Sequence, residues 1–160
     1  MRPRLLTAVS VLAFSLVPTL AGADATLFLG RNSAGDDRSV VRGFAVGVSL
    51  LIVGFEFEYA GTSEDAVDGR PSLRTTSGNV FVQTVGLPGF QLYLTTGGGF
   101  YRERLVADQE TAFVLNNGGG AKINLAGPIR ARVDYRIFNL QGNPRHTTVQ
   151  RIYAGLNLAF

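Results

Sequence analysis

TVQRIYAGLNLAF, residues 148–160, is the stretch on which the fold turns. Ile152, Ala154, Leu156, Leu158 and Phe160 occupy every second position, with Arg151, Tyr153, Gly155, Asn157 and Ala159 between them. A period of two belongs to a strand with one apolar face and one polar or small face. The pattern runs to an aromatic last residue, Phe160. Such a strand needs a partner for its open edge. The expectation is that it pairs with the first strand and closes a barrel.

Working outward, the same period recurs through the chain and predicts eight strands, over 25–31, 41–50, 52–60, 75–85, 90–102, 112–125, 129–140 and 148–160. Polar stretches at 32–39, 61–73, 103–110 and 141–147 are expected to be long loops. They alternate with short turns at Leu87-Pro88-Gly89, at Ala126-Gly127-Pro128 and between Ser49 and Ile52. The last of these lacks Gly, Pro and Asn. It is inferred from the apolar parity, which changes from even (Phe44, Val46, Val48) to odd (Val53, Phe55, Phe57, Tyr59). All the long loops therefore fall at one end and both termini at the other, as in outer-membrane barrels.

The second face mixes charges with very small residues: Gly54, Glu56 and Glu58; Arg130, Arg132, Asp134 and Arg136; Asn116, Gly118, Gly120, Lys122 and Asn124; Gly43, Ala45, Gly47 and Ser49. An eight-stranded barrel has an interior just wide enough for its side chains, so long charged groups need small residues opposite. The predicted fold is all-β, an eight-stranded antiparallel up-and-down transmembrane barrel with its apolar face toward lipid. The rival is a soluble periplasmic lipocalin-like barrel, with that face turned inward around an apolar ligand.

The N-terminus has the layout of an export signal: Arg2 and Arg4, an apolar run from Leu5 to Leu16, Pro18, then Ala21, Ala23 and Ala25. That run is too short for a membrane helix. The expected division is a signal peptide at 1–23 and a barrel domain at 24–160, with cleavage after Ala25 as the alternative. Removing 1–23 leaves 13 basic against 12 acidic residues, a net charge of +1, so the basic precursor is no nucleic-acid signal. Lys122 is the only lysine, and with no cysteine there is no disulfide framework or thiolate metal site.

The last eight residues resemble the C-terminal assembly signal of outer-membrane barrels, with Tyr153 a loose fit to its polar position and Gly155, Leu158 and Phe160 good fits. The whole mature chain resembles a small barrel of the OmpA/OmpX type without a periplasmic domain. The resemblance implies a Gram-negative outer-membrane location, insertion by the barrel assembly machinery through strand addition, and lipid and lipopolysaccharide as neighbours. A monomer is expected, with no nucleic-acid partner and no cofactor.

The candidate sites follow from this geometry. The third and seventh strands lie half a turn apart, so Glu56 and Glu58 can meet Arg130, Arg132 and Arg136 across the lumen, with Asp134 and Lys122 nearby. Buried charges must be paired, and the expected role of this set is to close the lumen; a gate or narrow channel for ions or apolar solutes is the alternative. Arginine neighbours would keep both glutamates ionised, which argues against acid–base catalysis. Arg42, Arg74 and Arg102 share the outward parity near the outer end, where planar guanidinium groups could hold lipopolysaccharide phosphates. Gly97–Gly99 and Gly118–Gly120 are expected to pair as a thin patch of wall making room for a lumen side chain. His146, the only histidine, shares the outer end with Ser39, Ser72 and Asp36, but these form no catalytic motif and no enzyme is expected. Asp36, Asp37, Glu64, Asp65 and Asp68 lack EF-hand spacing, and no metal is assigned.

Overall fold

The alternating segments form eight strands: β1 (Ala21–Ala34), β2 (Asp37–Leu50), β3 (Val53–Thr62), β4 (Ser72–Gln83), β5 (Phe90–Leu105), β6 (Asp108–Ala126), β7 (Ile129–Leu140) and β8 (Thr148–Ala159). The structure, a computed structural model, describes residues 21–65, 67–85 and 87–160. Each strand pairs antiparallel with its sequence neighbours, and β8 returns to β1, closing the barrel. In the closing seam Asp24 lies opposite Ala159 and Ser33 opposite Gln150. Beyond it the backbones of Ala23 and Phe160 exchange two hydrogen bonds, 2.8 and 2.9 Å.

The wall is inverted relative to a soluble barrel. Leu27, Phe44, Val48, Phe55, Leu94, Ile123, Ile152 and Leu156 are exposed on the outside. Glu56, Glu58, Lys122, Arg132, Asp134, Arg136 and Arg151 are buried in the lumen. The apolar series therefore does not line a ligand chamber, and the soluble-barrel alternative falls.

The turn between β2 and β3 is Leu51–Ile52, between paired Leu50 and Val53. Leu51 takes the left-handed φ of 54° that a two-residue hairpin demands. β8 begins at Thr148, and 141–147 forms a loop.

Two expected loops are absent. Residues 32–39 and 103–110 are largely strand, because β1–β2 and β5–β6 continue as paired ribbons to two-residue turns. A ribbon standing in water pairs its backbone without needing an apolar face, so these extensions carry no alternation. β6, at 19 residues, is about 60 Å long, well beyond the roughly 10 residues a membrane strand needs. The turn at its tip places Val106 at φ 55°, a left-handed conformation unusual for a β-branched residue. Other boundaries move as well. β3 runs to Thr62 rather than 60, β4 spans Ser72–Gln83 rather than 75–85, and β1 begins at Ala21, ahead of the expected domain boundary; most of the expected export signal lies outside the described residues.

The two glycine runs are also offset rather than paired: Gly97 faces Asn116, and Gly118 faces Thr95. Their use is space. A Cβ at Gly118 would strike the Arg136 side chain at 2.7 Å, and one at Gly120 would strike the Tyr93 hydroxyl at 2.6 Å.

The lumen also has apolar layers. Leu73, Tyr101, Val114, Phe138, Leu140 and Val149 pack together toward the outer end. Phe28 stacks on Tyr153 with ring centroids 4.0 Å apart.

Candidate functional site: lumen and outer rim

Strand alternation aims Glu56 and Glu58 of β3 and Arg132, Asp134 and Arg136 of β7 inward, and closure brings them together. Arg132 donates to Glu56 Oε2 at 2.5 Å and to Asp134 Oδ2 at 3.1 Å. Arg136 donates to Glu56 Oε1 at 2.6 Å and to Asp134 Oδ1 at 2.9 Å, and its Nη1 stands 3.2 Å from Glu58 Oε2. Tyr93 donates to Asp134 and accepts from Arg132 Nε at 2.7 Å.

A third arginine completes the cluster. Arg151 of β8 donates to Glu58 at 2.8 Å, to Asn32 at 2.9 Å and to Thr75 at 3.0 Å, with its guanidinium 4.2 Å from the Phe138 ring centroid. Three carboxylates thus meet three guanidinium groups, all at most 2% exposed. Burial on this scale is tolerable only with such pairing. Arg151 shares its inward parity with Tyr153 and Asn157, which is the signal that marks it.

The remaining two expected members stand apart. Lys122 pairs with Asp24 of β1 rather than joining the cluster, its Nζ 5.3 Å from the Phe81 ring centroid. Arg130 is half-buried, and among the described residues no carboxylate lies within 4.0 Å of it.

Tyr153 and Gly155 also face the lumen. Tyr153 donates to Glu58 at 3.3 Å, and the Phe28 backbone and Cβ occupy the space beside Gly155. Leu158 and Phe160 are exposed on the outer wall.

At the outer mouth the 141–147 loop bridges the other outer connections. Its His146 Nε2 lies 3.0 Å from Asp37, the Arg145 N–H donates to Glu103 at 3.3 Å, and the Arg145 guanidinium donates to the Gly69 carbonyl. Beneath it a cavity of about 40 Å³ is lined by His146, Asp37, Ser39 and Glu103, room for little more than a water. Ser72 lies elsewhere, lining a groove on the outer wall. Among the described residues no three His, Asp or Glu side chains converge as metal ligands. Asp65 and Asp68 are instead paired with Arg70, at 2.8 and 2.5 Å.

Arg42, Arg74 and Arg102 line that same wall groove, of about 530 Å³, together with Arg104.

No protein-family model matches the chain, and no curated protein matches it in sequence. Solved structures do. Neisserial surface protein A superposes with a TM-score of 0.71 at 12% identity, over 89% of this chain and 98% of that one. The N-terminal β-barrel domain of Pseudomonas aeruginosa OprF gives 0.66 at 18% identity, over 87% and 97%. The outer membrane enzyme PagL gives 0.52 at 10% identity, over 84% and 98%. The chain has the fold of the small eight-stranded outer-membrane β-barrels.

Proposed function

We propose that this is an integral protein of the Gram-negative outer membrane with a structural or surface-interacting role, its lumen sealed by the ionic cluster. The observation that carries the reading is the inverted wall: residues such as Leu27 (72% exposed) and Leu94 (68%) are left outside a fully paired sheet. Exposed apolar surface on this scale has no counterpart on water-facing domains, and a closed barrel leaves no unpaired edge in hydrocarbon. The solved neighbours from outer membranes support the same placement.

In this reading residues 1–23 are an export signal, the barrel assembly machinery engages the terminal strand at Tyr153, Gly155, Leu158 and Phe160, and lipid is the permanent neighbour of a monomer. Cleavage after Ala23 fits better than after Ala25, because it keeps Asp24 for Lys122. In this reading the role is non-catalytic, and the sole histidine, paired with Asp37, serves to tie the 141–147 loop to the outer mouth.

The test is gel mobility of outer-membrane fractions, boiled and unboiled, followed by conductance in planar bilayers. A heat-dependent shift without conductance steps is expected. Recovery from the soluble periplasm would refute the placement, and steady conductance steps would make the lumen a channel.

A further inference from the structure

Near the outer end of each strand the outward positions turn from mainly apolar to polar or glycine. Leu29 gives way to Arg31, Phe44 to Arg42, Tyr59 to Gly61, Phe100 to Arg102, Phe113 to Thr111, Ile137 to Asn139 and Ile152 to Gln150, while on β4 Val80 is followed by Gly78, Thr76 and Arg74. None of these boundary residues is acidic, and the arginines fall on β1, β2, β4 and β5 alone. The register ties them further: Arg42 pairs with Gly61, Gly61 with Arg74, and Arg74 with Arg102. Three guanidinium groups therefore follow one hydrogen-bonded row, with glycine between the first two.

The row borders a groove of about 530 Å³, to which Arg104 adds a fourth guanidinium. Among the described residues no carboxylate lies within 4.0 Å of any of the four. The one acid lining the groove is Glu64, which accepts from the Val106 N–H at 2.7 Å and leaves the four arginines in excess. Immediately below, toward the membrane, the neighbouring row holds Phe44, Tyr59, Phe100 and Phe113; Phe44 and Tyr59 lie 5.8 Å apart and Phe100 and Phe113 5.9 Å. Aromatic residues mark the edge of the hydrocarbon, so the groove opens at the depth of lipid head groups.

We propose that this groove, lined by Arg42, Arg74, Arg102 and Arg104, binds the phosphates of an outer-leaflet glycolipid, lipopolysaccharide, while its acyl chains lie along the aromatic row below. Planar guanidinium forks match phosphate oxygens two at a time, four of them against the single Glu64 carboxylate favour a bisphosphorylated ligand, and the apolar surface beneath selects a lipid over a free anion. The inference rests on the membrane placement proposed above.

The test uses the folded mature protein in detergent and native mass spectrometry with bisphosphorylated lipid A. Wild type should retain the lipid, and Arg42→Gln/Arg74→Gln/Arg102→Gln should retain it at least about tenfold less, since each charge-assisted bond is worth about a factor of ten. Dephosphorylated lipid A should bind wild type as weakly as the intact lipid binds the variant. Equal retention by variant and wild type, or indifference to dephosphorylation, would overturn the site. Displacement of the lipid by millimolar inorganic phosphate would overturn the lipid in favour of the free anion. The boiled-versus-unboiled gel shift, read on the same preparations, shows that the variant is folded. Absence of the wild type from outer-membrane fractions separates a failure of the placement from a failure of the groove.

Discussion

Replacing Glu58 by Gln isolates the balance of charge in the lumen from its packing, since the two side chains are nearly the same size. Glu58 faces Arg151 at 2.8 Å, Arg136 at 3.2 Å and the Tyr153 hydroxyl at 3.3 Å. The amide removes one of three negative charges opposing three positive ones and turns an NH2 donor toward groups that are themselves donors. Breaking one partner of a buried ionic set costs about 3–5 kcal/mol. At a urea slope of about 2 kcal/mol per molar, that lowers the unfolding midpoint by about 2 M. The assay is urea unfolding in liposomes, followed by loss of the unboiled gel band. Removing the matching positive charge as well, in Glu58→Gln/Arg151→Gln, should recover about 1–3 kcal/mol, because residues in one network couple. A midpoint shift below about 0.5 M for Glu58→Gln, or strict additivity in the double variant, would refute the claim that electroneutrality holds the cluster together.

Three further outcomes are expected. Gly155→Ala places a methyl 2.9 Å from the Phe28 Cβ and 3.0 Å from its Cα; overpacking at the closing seam should cost about 1–3 kcal/mol, read as a lower melting temperature of the unboiled band, and an unchanged melt would count against the seam. Val106→Asn exchanges a β-branched residue at φ 55° for one that tolerates the left-handed region, so amide exchange at the β5–β6 tip should slow by about tenfold, reflecting roughly 1–2 kcal/mol of relieved strain; faster exchange would sink the assignment. The Asp65 carboxyl accepts from the Asp68 N–H and pairs with Arg70, which holds it below its ordinary 3.8. A depressed carboxyl contributes above its unfolded value and loses that contribution as pH falls through the folded one. Protection of the Asp65 and Arg70 amides, which pair at 2.9 and 2.8 Å, should therefore hold constant from pH 8 to about pH 5 and drop below about pH 4; a loss already at pH 6 would implicate another group.

The barrel is legible in the residues because alternation is a property of each strand by itself. The parity change between Val48 and Val53 marks a hairpin that no turn residue announces, and Leu51–Ile52 makes it. The extended ribbons are silent for the opposite reason: in residues 32–39 and 103–110 the side chains turned toward the mouth are themselves mostly polar, as with Asn32, Asp37, Ser39 and Glu103, so no apolar alternation marks the strand. In the lumen, parity puts Glu56, Glu58, Arg132, Asp134 and Arg136 on the inward face, and Arg151 is marked the same way. Partnership is another matter. That Lys122 meets Asp24, and that Arg130 meets no acid among the described residues, depends on the stagger between strands. Stagger is a property of the closed sheet, and no single strand carries it.

The closing seam has a kinetic consequence. Asp24 and Ala159 pair across 135 intervening steps of chain, whereas each adjacent hairpin can form from its own short segment. Bringing such distant ends together carries a loop-closure entropy on the order of 4 kcal/mol, and contacts this remote in sequence are late and slow. Until the last strand is made, β1 offers an uncovered rim of backbone donors and acceptors, and β8 has no resting place. The nascent sheet is thus most adhesive for as long as it is incomplete, and the interval between synthesis and closure is when this chain most needs escort.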